Sequence, residues 1–348
     1  MSSHFSANSL PEFFTSHHEA VEAELKEIVD SCPSGLGNML RYHMGWQDEH
    51  GQPCHRKLGK FVRSTLCLLS CQAVGGDIVQ MLPAAAALEL IHNFSLIHDD
   101  IEDASCERHQ QPTVWKLWGQ SQAINAGDAM FSLAYLALLK LRENRIADRK
   151  IIHSTHMLTE ACIELCEGQY LDIDFESRLD ITTKDYLNMI AKKTAALMAV
   201  STSLGAYLGR EDEELADSLY RFGKELGMAY QIRDDILGIW GAKESLRKPV
   251  GDDVSQRKKT LPVVYALQNS NQEDREKLKK LYSQPYIQGE DVTEVVRILE
   301  QIDARDYAQM VVAQYHRRAL ARLDATRLNP SKQAPLREVA SFLLERDY

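Results

Sequence analysis

The sequence predicts an all-α protein, folded as a single large helical bundle around a central cavity. Apolar residues recur at the helical spacing of three to four through most of the 348 residues. Runs that alternate between apolar and polar residues, which would predict strands, are nearly absent. The breaks between periodic segments are short, so we expect residues 1–348 to form one domain, with residues 1–17 as a loose N-terminal arm.

The first three predicted helices have start or stop signals in the sequence. The first periodic segment, 18–30, is broken by Cys32-Pro-Ser-Gly-Leu-Gly. The second, 58–74, ends at a glycine pair, and a long apolar helix follows Pro83. Further helices are expected at about 125–143, 150–176, 183–208, 212–238, 259–268, 272–281, 290–300, 303–325 and 334–346.

Composition and charge argue against several classes of function. The net charge of −10 argues against nucleic acid as a partner. The most apolar window, 82–97, is short and carries Glu89, His92 and Asn93, so no membrane span is expected. The N-terminus lacks the basic start and apolar core of a signal peptide. Seven scattered cysteines without a CxxC pair are typical of reduced thiols, which indicates a cytoplasmic protein.

Four acidic side chains end the long apolar helix, in the segment SLIHDDIEDASCERHQQPT at 95–113. Residues four apart on a helix lie about 40° apart around its axis and about 6 Å apart along it, so Asp99 and Asp103 share a face. Carboxylates at this spacing repel each other unless a cation lies between them. A solvated helix end is the ordinary interpretation, but this run follows an apolar segment with no solvent-facing stripe.

A second acidic pair, Asp234-Asp235, ends the apolar segment AYQIRDDILGIWG. Two such pairs on separate helices can face each other across a bundle. This arrangement suits Mg²⁺, which takes one or two carboxylates together with phosphate oxygens of a substrate. A diphosphate would also need cations, and basic residues stand in four short segments, at Lys60 and Arg63, at Arg108, at Lys192 and Lys193, and within 248–259.

Five short motifs stand in a fixed order along the chain. They are GKxxR at 59–63, DDxxD at 99–103, GQxxD at 168–172, KT at 193–194, and a second aspartate-rich segment at 231–235 followed by lysines. In this order they resemble the trans-isoprenyl diphosphate synthases of the polyprenyl synthetase family, over about residues 40–345. The resemblance implies an isoprenoid synthase fold, a homodimer, and a Mg²⁺-dependent prenyltransferase that joins isopentenyl diphosphate to an allylic diphosphate.

The resemblance also implies roles for individual residues. Three Mg²⁺ ions would be bound by Asp99, Asp103 and Asp234, with Asp100 and Asp235 assisting. Isopentenyl diphosphate would be held by Lys60, Arg63 and His92. The allylic diphosphate (dimethylallyl, geranyl or farnesyl) would be held by Arg108, Lys193, Thr194, Gln231, Lys248 and Lys258, with Gln169 and Asp172 lining the same site. Asp99, Asp103, Lys193 and Asp234 are the predicted catalytic residues.

The chemistry agrees with these roles. Breaking an allylic C–O bond leaves a carbocation and a pyrophosphate anion. Mg²⁺ and fixed cations stabilise the charge that gathers on the leaving group. No protein nucleophile is needed, because the alkene of isopentenyl diphosphate attacks the carbocation.

The sequence departs from the family pattern at three positions. His109 stands where an arginine would contact isopentenyl diphosphate, and a histidine is only partly charged near pH 7. Gly238 replaces the third aspartate of the second motif and removes one potential contact with Mg²⁺ or water. Ser64 replaces a proline, which we expect to matter little. Because the other aspartates remain, we expect an active enzyme.

Phe94 and Ser95 are the candidate determinants of product length. In this family an aromatic residue five positions before the first motif limits chain growth, and Phe94 occupies that position. An ideal helical wheel instead puts Ser95 beneath Asp99, so Phe94 can also be an ordinary core residue. The resemblance favours geranylgeranyl diphosphate as product, with farnesyl diphosphate or a longer polyprenyl diphosphate as the alternative.

Two other functions are weighed against this interpretation. A class I terpene cyclase also uses an aspartate-rich helix and Mg²⁺, but its single diphosphate substrate would leave Lys60, Arg63 and His92 without a role. A non-catalytic subunit that modulates a partner would fit the loss at Gly238. Such a subunit does not explain why all the other aspartates are present.

Overall fold

The structure is a computed structural model that describes residues 15–54, 56, 59–241 and 251–345. It is 76% helical with almost no strands, which confirms the all-α prediction. The helices are α1 (His18–Asp30), α2 (Ser34–His43), α3 (Val62–Val74), α4 (Leu82–Glu102), α5 (Val114–Trp118), α6 (Gln120–Lys140), α7 (Asp148–Glu176), α8 (Thr183–Ile190), α9 (Ala196–Arg210), α10 (Glu213–Trp240), α11 (Asp252–Ser255), α12 (Leu261–Asn269), α13 (Gln272–Tyr282), α14 (Glu290–Gln301), α15 (Ala304–Ala325) and α16 (Pro330–Glu345). A π-helical turn, Ala191–Ala195, connects α8 to α9.

The chain divides into two compact units. The first comprises Met1–Leu158 with Ser201–Ala216, and the second comprises Thr159–Val200 with Asp217–Tyr348. The expectation of one domain around a central cavity stays a prediction. The predicted N-terminal arm falls mostly on residues 1–14, which lie outside the described residues.

In the first unit, α4 is the central helix. It packs along α6 and also contacts α1 and α3. Pro83 stands in its first turn, where a missing N–H breaks no helical hydrogen bond. The alanines at 84–87 have no exposed surface, and the helix is apolar on nearly all sides, as expected for a buried helix. Apart from the buried Glu89, its acids stand in the last turns, so α4 delivers the first aspartate-rich motif from the core of this unit.

In the second unit, α12 is shared by two apolar clusters. Val264 belongs to the cluster that contains Tyr186 and Ile232, and Val263 belongs to the cluster that contains Tyr282. The helix contacts α8 and α15. It therefore fixes the position of α8. Through the backbone N–H of Leu261, its first residue, it also fixes Asp235 of α10.

Several elements differ from the sequence expectations. Helices α5 and α11 were not predicted, and the π-helical turn divides the helix expected at 183–208. Helix α2 was not predicted, because its start lies within a Pro- and Gly-rich segment. The helix expected from Leu58 begins at Val62 instead, since Phe61 has a left-handed φ of 47°. A short antiparallel hairpin, β1 (Glu107–Arg108) with β2 (Gln111–Pro112), follows the first motif. Its strands are too short to give a sequence period.

No helix among the described residues is both long enough and apolar enough to cross a lipid bilayer.

Candidate active site

The first aspartate-rich motif lies at the C-terminal end of α4. Asp99 and Asp100 stand in the last turns, and Asp103 directly follows the helix. The side chain of Asp99 is 22% exposed, that of Asp100 is 3% exposed, and Asp103 is exposed. Carboxylates at a helix C-terminus face the negative end of the helix dipole, so a bound cation would be stabilised there.

Arg108 pairs with the buried member of the motif. Its Nε donates to both carboxylate oxygens of Asp100, at 3.0 and 3.1 Å, and its Nη2 lies 3.5 Å from Oδ2 of Asp99. Burial raises the pKa of Asp100, and the hydrogen bond and charge of Arg108 oppose this shift. Burial would lower the pKa of Arg108, but its bonds to Asp100 raise it overall. Asp100 thus holds a cation beside Asp99, which fits the assisting role expected for it.

The hairpin brings Arg108 back to the helix end. Its turn residues, His109 and Gln110, have φ values of 52° and 63°, as in the two-residue turns that match the twist of a β-hairpin. Arg108 lies opposite Gln111 in the register. His109 is therefore exposed at the tip of the hairpin, one residue from the Arg108 clamp.

Two imidazoles are held neutral close to these arginines. Burial lowers the pKa of His92 well below its usual range, and the charges of Arg63 and Arg108 lower it further. Burial likewise lowers the pKa of His43 to about 3, with Arg108 as the next cause, and its ring nitrogen lies 3.1 Å from Oδ1 of Asn93. Neutral histidines can donate one hydrogen bond each to an anion, while the arginines supply the positive charge.

A small cavity lies beside these groups. Its volume is about 40 Å³, and its lining includes His43, Asp100, Arg108 and His109. The predicted cations Lys60 and Arg63 stand at the start of α3, Arg63 in the first turn and Lys60 two residues before the helix. The first unit thus brings the predicted His92, Arg63 and Arg108 into one electrostatic environment.

Ser64 has a role that the sequence did not reveal. Its backbone N–H and its hydroxyl both donate to Oε1 of Glu89, each at 2.9 Å. Burial raises the pKa of Glu89, opposed by Ser64 and then by the charge of Arg63. A proline at this position would lack both donors. This contact ties the first turn of α3, and with it Arg63, to the middle of α4.

Phe94 faces α6. Its ring makes edge contacts with Phe131, at 5.2 Å between centroids, and with His98, at 5.7 Å. Phe131 in turn contacts Tyr135 at 5.1 Å, so an aromatic row runs along the two helices. Ser95 is half-buried and its hydroxyl donates to the carbonyl of His92 at 2.7 Å. Phe131 and Tyr135 were missed because only packing, not sequence spacing, places them beside Phe94.

In the second unit, Asp235 is buried and fully hydrogen-bonded. It accepts hydrogen bonds from the hydroxyl of Tyr186, from Nε2 of Gln231 at 3.1 Å, and from the backbone N–H of Leu261 at 3.0 Å. Burial raises its pKa to about 7, these three donors oppose the shift, and the negative charge of Asp253 adds to it. Asp235 therefore anchors the motif, whereas its neighbour Asp234 is half-buried and more accessible.

The predicted diphosphate-binding residues of this unit form two sets of contacts. The hydroxyl of Thr194 donates to Oε1 of Gln231 at 2.7 Å, and Nε2 of Gln231 donates to Oδ1 of Asp235 at 3.1 Å. Nζ of Lys193 lies 2.6 Å from Oδ2 of Asp172. Both Lys193 and Thr194 stand on the π-helical turn, an irregularity often found at functional sites.

A glycine allows that turn to approach α7. A Cβ atom at Gly168 would lie 2.1 Å from the backbone nitrogen of Lys193. The glycine of the GQxxD motif therefore permits close helix contact, and the acid of the same motif, Asp172, then reaches Lys193. Gln169, which lies between Gly168 and Asp172 in the sequence, is half-buried.

The basic residues after the second motif have different environments. Lys258 is 47% exposed, and its Nζ lies 3.8 Å from Oδ1 of Asp253. Lys259 is buried, donates to the carbonyl of Glu176 at 3.1 Å, and has its pKa lowered to about 8 by burial. Lys259 is thus a structural residue. The predicted Lys248 lies outside the described residues.

The donor set fits a magnesium site that is completed by phosphate. Within the described ranges, no three His, Cys, Asp or Glu side chains are grouped closely enough to bind a metal ion. In the first unit, Asp99 and Asp103 are more exposed than Asp100, and in the second unit Asp234 is more exposed than Asp235. Mg²⁺ is commonly held by one or two carboxylates, with waters and substrate phosphates as its other ligands.

Comparison with known proteins decides the family. The sequence profile described as polyprenyl synthetase matches residues 47–299, more than half of the chain. The chain is a member of the polyprenyl synthetase family. It is 41% identical over 261 residues to the geranylgeranyl diphosphate synthase of Mycobacterium tuberculosis H37Rv, covering 75% of this chain and 73% of that protein. It is 34% identical over 332 residues to the (2E,6E)-farnesyl diphosphate synthase of the same strain, covering 94% and 91%.

The fold agrees with this membership. The crystal structure of polyprenyl synthetase from Streptomyces coelicolor A3(2) superposes with a TM-score of 0.91 at 33% identity, covering 97% of this chain and 100% of that one. The expected isoprenoid synthase fold is therefore confirmed.

Proposed function

We propose that this member of the polyprenyl synthetase family condenses isopentenyl diphosphate with an allylic diphosphate, head to tail and in trans, and makes geranylgeranyl diphosphate. The family consists of Mg²⁺-dependent prenyltransferases. The observation that carries the proposal is that in each motif a buried aspartate holds a cation or donor in place. Asp100 holds Arg108, which also lies 3.5 Å from Asp99, and Asp235, which directly follows Asp234, holds Gln231.

The proposed metal ligands are Asp99, Asp103 and Asp234, and the proposed number of Mg²⁺ ions is three. When bound, Mg²⁺ supplies positive charge to the diphosphate leaving group. Asp100 and Asp235 assist by fixing Arg108 and Gln231, whose rigid positions avoid reorganisation during the reaction.

Fixed protein donors hold the allylic substrate. Arg108, Lys193, Thr194 and Gln231 would donate to its diphosphate, with Lys248 and Lys258 as further cations. Lys193 would exchange its ion pair with Asp172 for contacts to phosphate oxygens. Heterolysis of the C–O bond then gives an allylic carbocation and pyrophosphate, and the donors stabilise the charge on the leaving oxygens.

The second substrate would bind near α3 and α4. Lys60, Arg63 and a neutral His92 would hold the diphosphate of isopentenyl diphosphate, with a weaker contribution from His109. Its alkene attacks the carbocation, which forms the new C–C bond, and the pyrophosphate takes the proton that is lost. No side chain is required as a nucleophile.

The aromatic row of Phe94, Phe131 and Tyr135 would end the space open to the growing hydrocarbon, which favours a C20 product. The alternative product is farnesyl diphosphate or a longer polyprenyl diphosphate. Relatives named geranylgeranyl diphosphate synthase and relatives named farnesyl diphosphate synthase both match this chain.

We also propose a homodimer located in the cytoplasm. Helix α7 carries a row of exposed apolar side chains, Ile152, Ile163, Tyr170 and Ile173, which are 43–70% exposed. Such a row on one helix is typical of a surface that another chain covers. All seven cysteines are free, as expected in a reducing compartment.

The test is incubation of the purified chain with Mg²⁺, isopentenyl diphosphate and radiolabelled dimethylallyl, geranyl or farnesyl diphosphate in separate reactions. We expect a C20 prenyl diphosphate from at least one starter, identified by chromatography. A hydrocarbon product would favour a terpene cyclase, and no turnover would favour a non-catalytic subunit.

A further inference from the structure

Arg56 stands between α2 and α3 and belongs to none of the five motifs. It ends a loop whose two arms run antiparallel. The backbone N–H of Arg56 donates to the carbonyl of Gly45 at 3.0 Å. The backbone N–H of Cys54 donates to the carbonyl of Trp46 at 2.9 Å. These hydrogen bonds fix the backbone from which the half-buried side chain of Arg56 extends.

The guanidinium of Arg56 contacts the hairpin that carries Arg108. Its Nη1 donates to Oε1 of Gln111 at 2.8 Å, and Gln111 is the residue opposite Arg108 in the hairpin register. The hydroxyl of Tyr42 on α2 donates to the carbonyl of Pro112 at 2.7 Å. Burial raises the pKa of Tyr42, and the charge and hydrogen bond of Arg56 oppose this shift. Arg56 therefore contacts neutral oxygens of α2 and β2.

Arg56 gives the small cavity beside the hairpin a net positive charge. Apart from histidines, the charged side chains that line this cavity are those of Arg56, Asp100 and Arg108. Asp100 and Arg108 pair with each other at 2.8 Å. His43 is neutral near pH 7, because burial lowers its pKa to about 3. Among the residues that the structure describes, no carboxylate forms an ion pair with Arg56, so an anion in the cavity would balance its charge.

We propose that Arg56 is a further binding residue for the diphosphate of isopentenyl diphosphate, and that it supplies positive charge that His109 supplies only in part. In the proposed function, on which this inference rests, His109 contributes weakly because a histidine is only partly charged near pH 7. Both residues line the same cavity, whose volume of about 40 Å³ has room for about three water molecules and is thus comparable with one phosphoryl group. The guanidinium has more N–H donors than Gln111 and Tyr42 engage, so phosphoryl oxygens can accept from the others.

The test measures the dissociation constant of isopentenyl diphosphate by calorimetry, without Mg²⁺ or an allylic substrate, and so does not depend on turnover. Arg56→Gln removes the charge but can still donate to Gln111, and it should bind about tenfold more weakly than the wild type. Arg56→Lys keeps the charge and should bind at least about threefold more tightly than Arg56→Gln. His109→Arg in the Arg56→Gln background should recover most of the loss, because it adds a full charge to the same cavity.

The matched control is Arg142→Gln. Arg142 belongs to the same unit, pairs with Asp148 at 3.2 Å and has a side chain that is 75% exposed. The control changes the net charge by the same amount and should leave the dissociation constant within about twofold of the wild type. Gln111→Ala separates direct binding from positioning. It removes the contact of Arg56 with the hairpin but leaves the charge, so it should weaken binding by no more than about threefold.

The inference is overturned if Arg56→Gln, folded by circular dichroism, binds isopentenyl diphosphate as tightly as the wild type, or if Arg56→Lys binds no better than Arg56→Gln. Equal losses in Gln111→Ala and Arg56→Gln also overturn it, because Arg56 would then act only through the hairpin. Failure of the proposed function is a separate result. In that case the wild-type chain forms no prenyl product, while the effect of Arg56 on binding remains. If the wild type does not bind isopentenyl diphosphate at all, both are overturned.

Discussion

Removing the guanidinium of Arg108 should destabilise the first unit as well as the site. Arg108→Gln deletes two hydrogen bonds to Asp100, whose side chain is 3% exposed, and leaves its carboxylate without a cation. Breaking a fully buried pair costs about 3–5 kcal/mol. Because Arg108 is 28% exposed, water can enter the space it vacates, so we expect a loss of about 2–3 kcal/mol.

The assay is urea unfolding of the metal-free protein, followed by circular dichroism. Arg178→Gln is the control, because Arg178 forms exposed ion pairs with Asp174 and Asp180, and its loss should change stability little. Asp100→Asn in the Arg108→Gln background should recover part of the loss, since no buried charge then remains. If Arg108→Gln is as stable as Arg178→Gln, Asp100 is not a buried charge that depends on Arg108.

Three further outcomes are expected. Phe94→Ala should shift the products to longer chains, because removing the ring opens space comparable to one isoprene unit; an unchanged chromatographic profile would refute Phe94 as the limit. Lys193→Gln should raise KM for the allylic diphosphate roughly tenfold or more, with a smaller effect on KM for isopentenyl diphosphate. Steady-state kinetics with each substrate varied in turn measures both values, and equal increases would show that this role is wrong. Since the pKa of His43 is lowered from 6.5 to about 3, the unfolded chain takes up a proton that the folded chain does not. The free energy of unfolding should therefore fall as the pH drops from 6.5 toward 3, by up to about 1.4 kcal/mol per pH unit, and His43→Gln should flatten this slope in urea titrations.

Long periodic segments made most helices predictable, because burial of one face dictates their spacing. Helix α2 escaped because Pro33, Gly35 and Gly37 weaken local helix propensity. Its buried residues Met39 and Leu40, which are 7% and 0% exposed, stabilise it through tertiary packing instead. Local sequence signals do not report such packing.

The candidate site was predictable where its residues lie within short motifs, and its roles stay predictions. The structure places Arg108 beside the first aspartates and Lys193 beside Asp172. Tyr186 and Asp253 were missed, because they reach Asp235 and Gly238 from distant segments and only the folded chain brings them into contact. The supporting residues of a site thus depend on packing more than its motif residues do.

The most direct test of the proposed chemistry compares turnover of Asp99→Ala and Asp234→Ala with that of the wild type, at saturating Mg²⁺ and both substrates. If the two aspartate-rich segments serve one Mg²⁺-assisted cleavage of the allylic C–O bond, each variant should lose at least about a hundredfold in kcat while remaining folded. Near-normal turnover in either variant would contradict a metal-binding role for that segment.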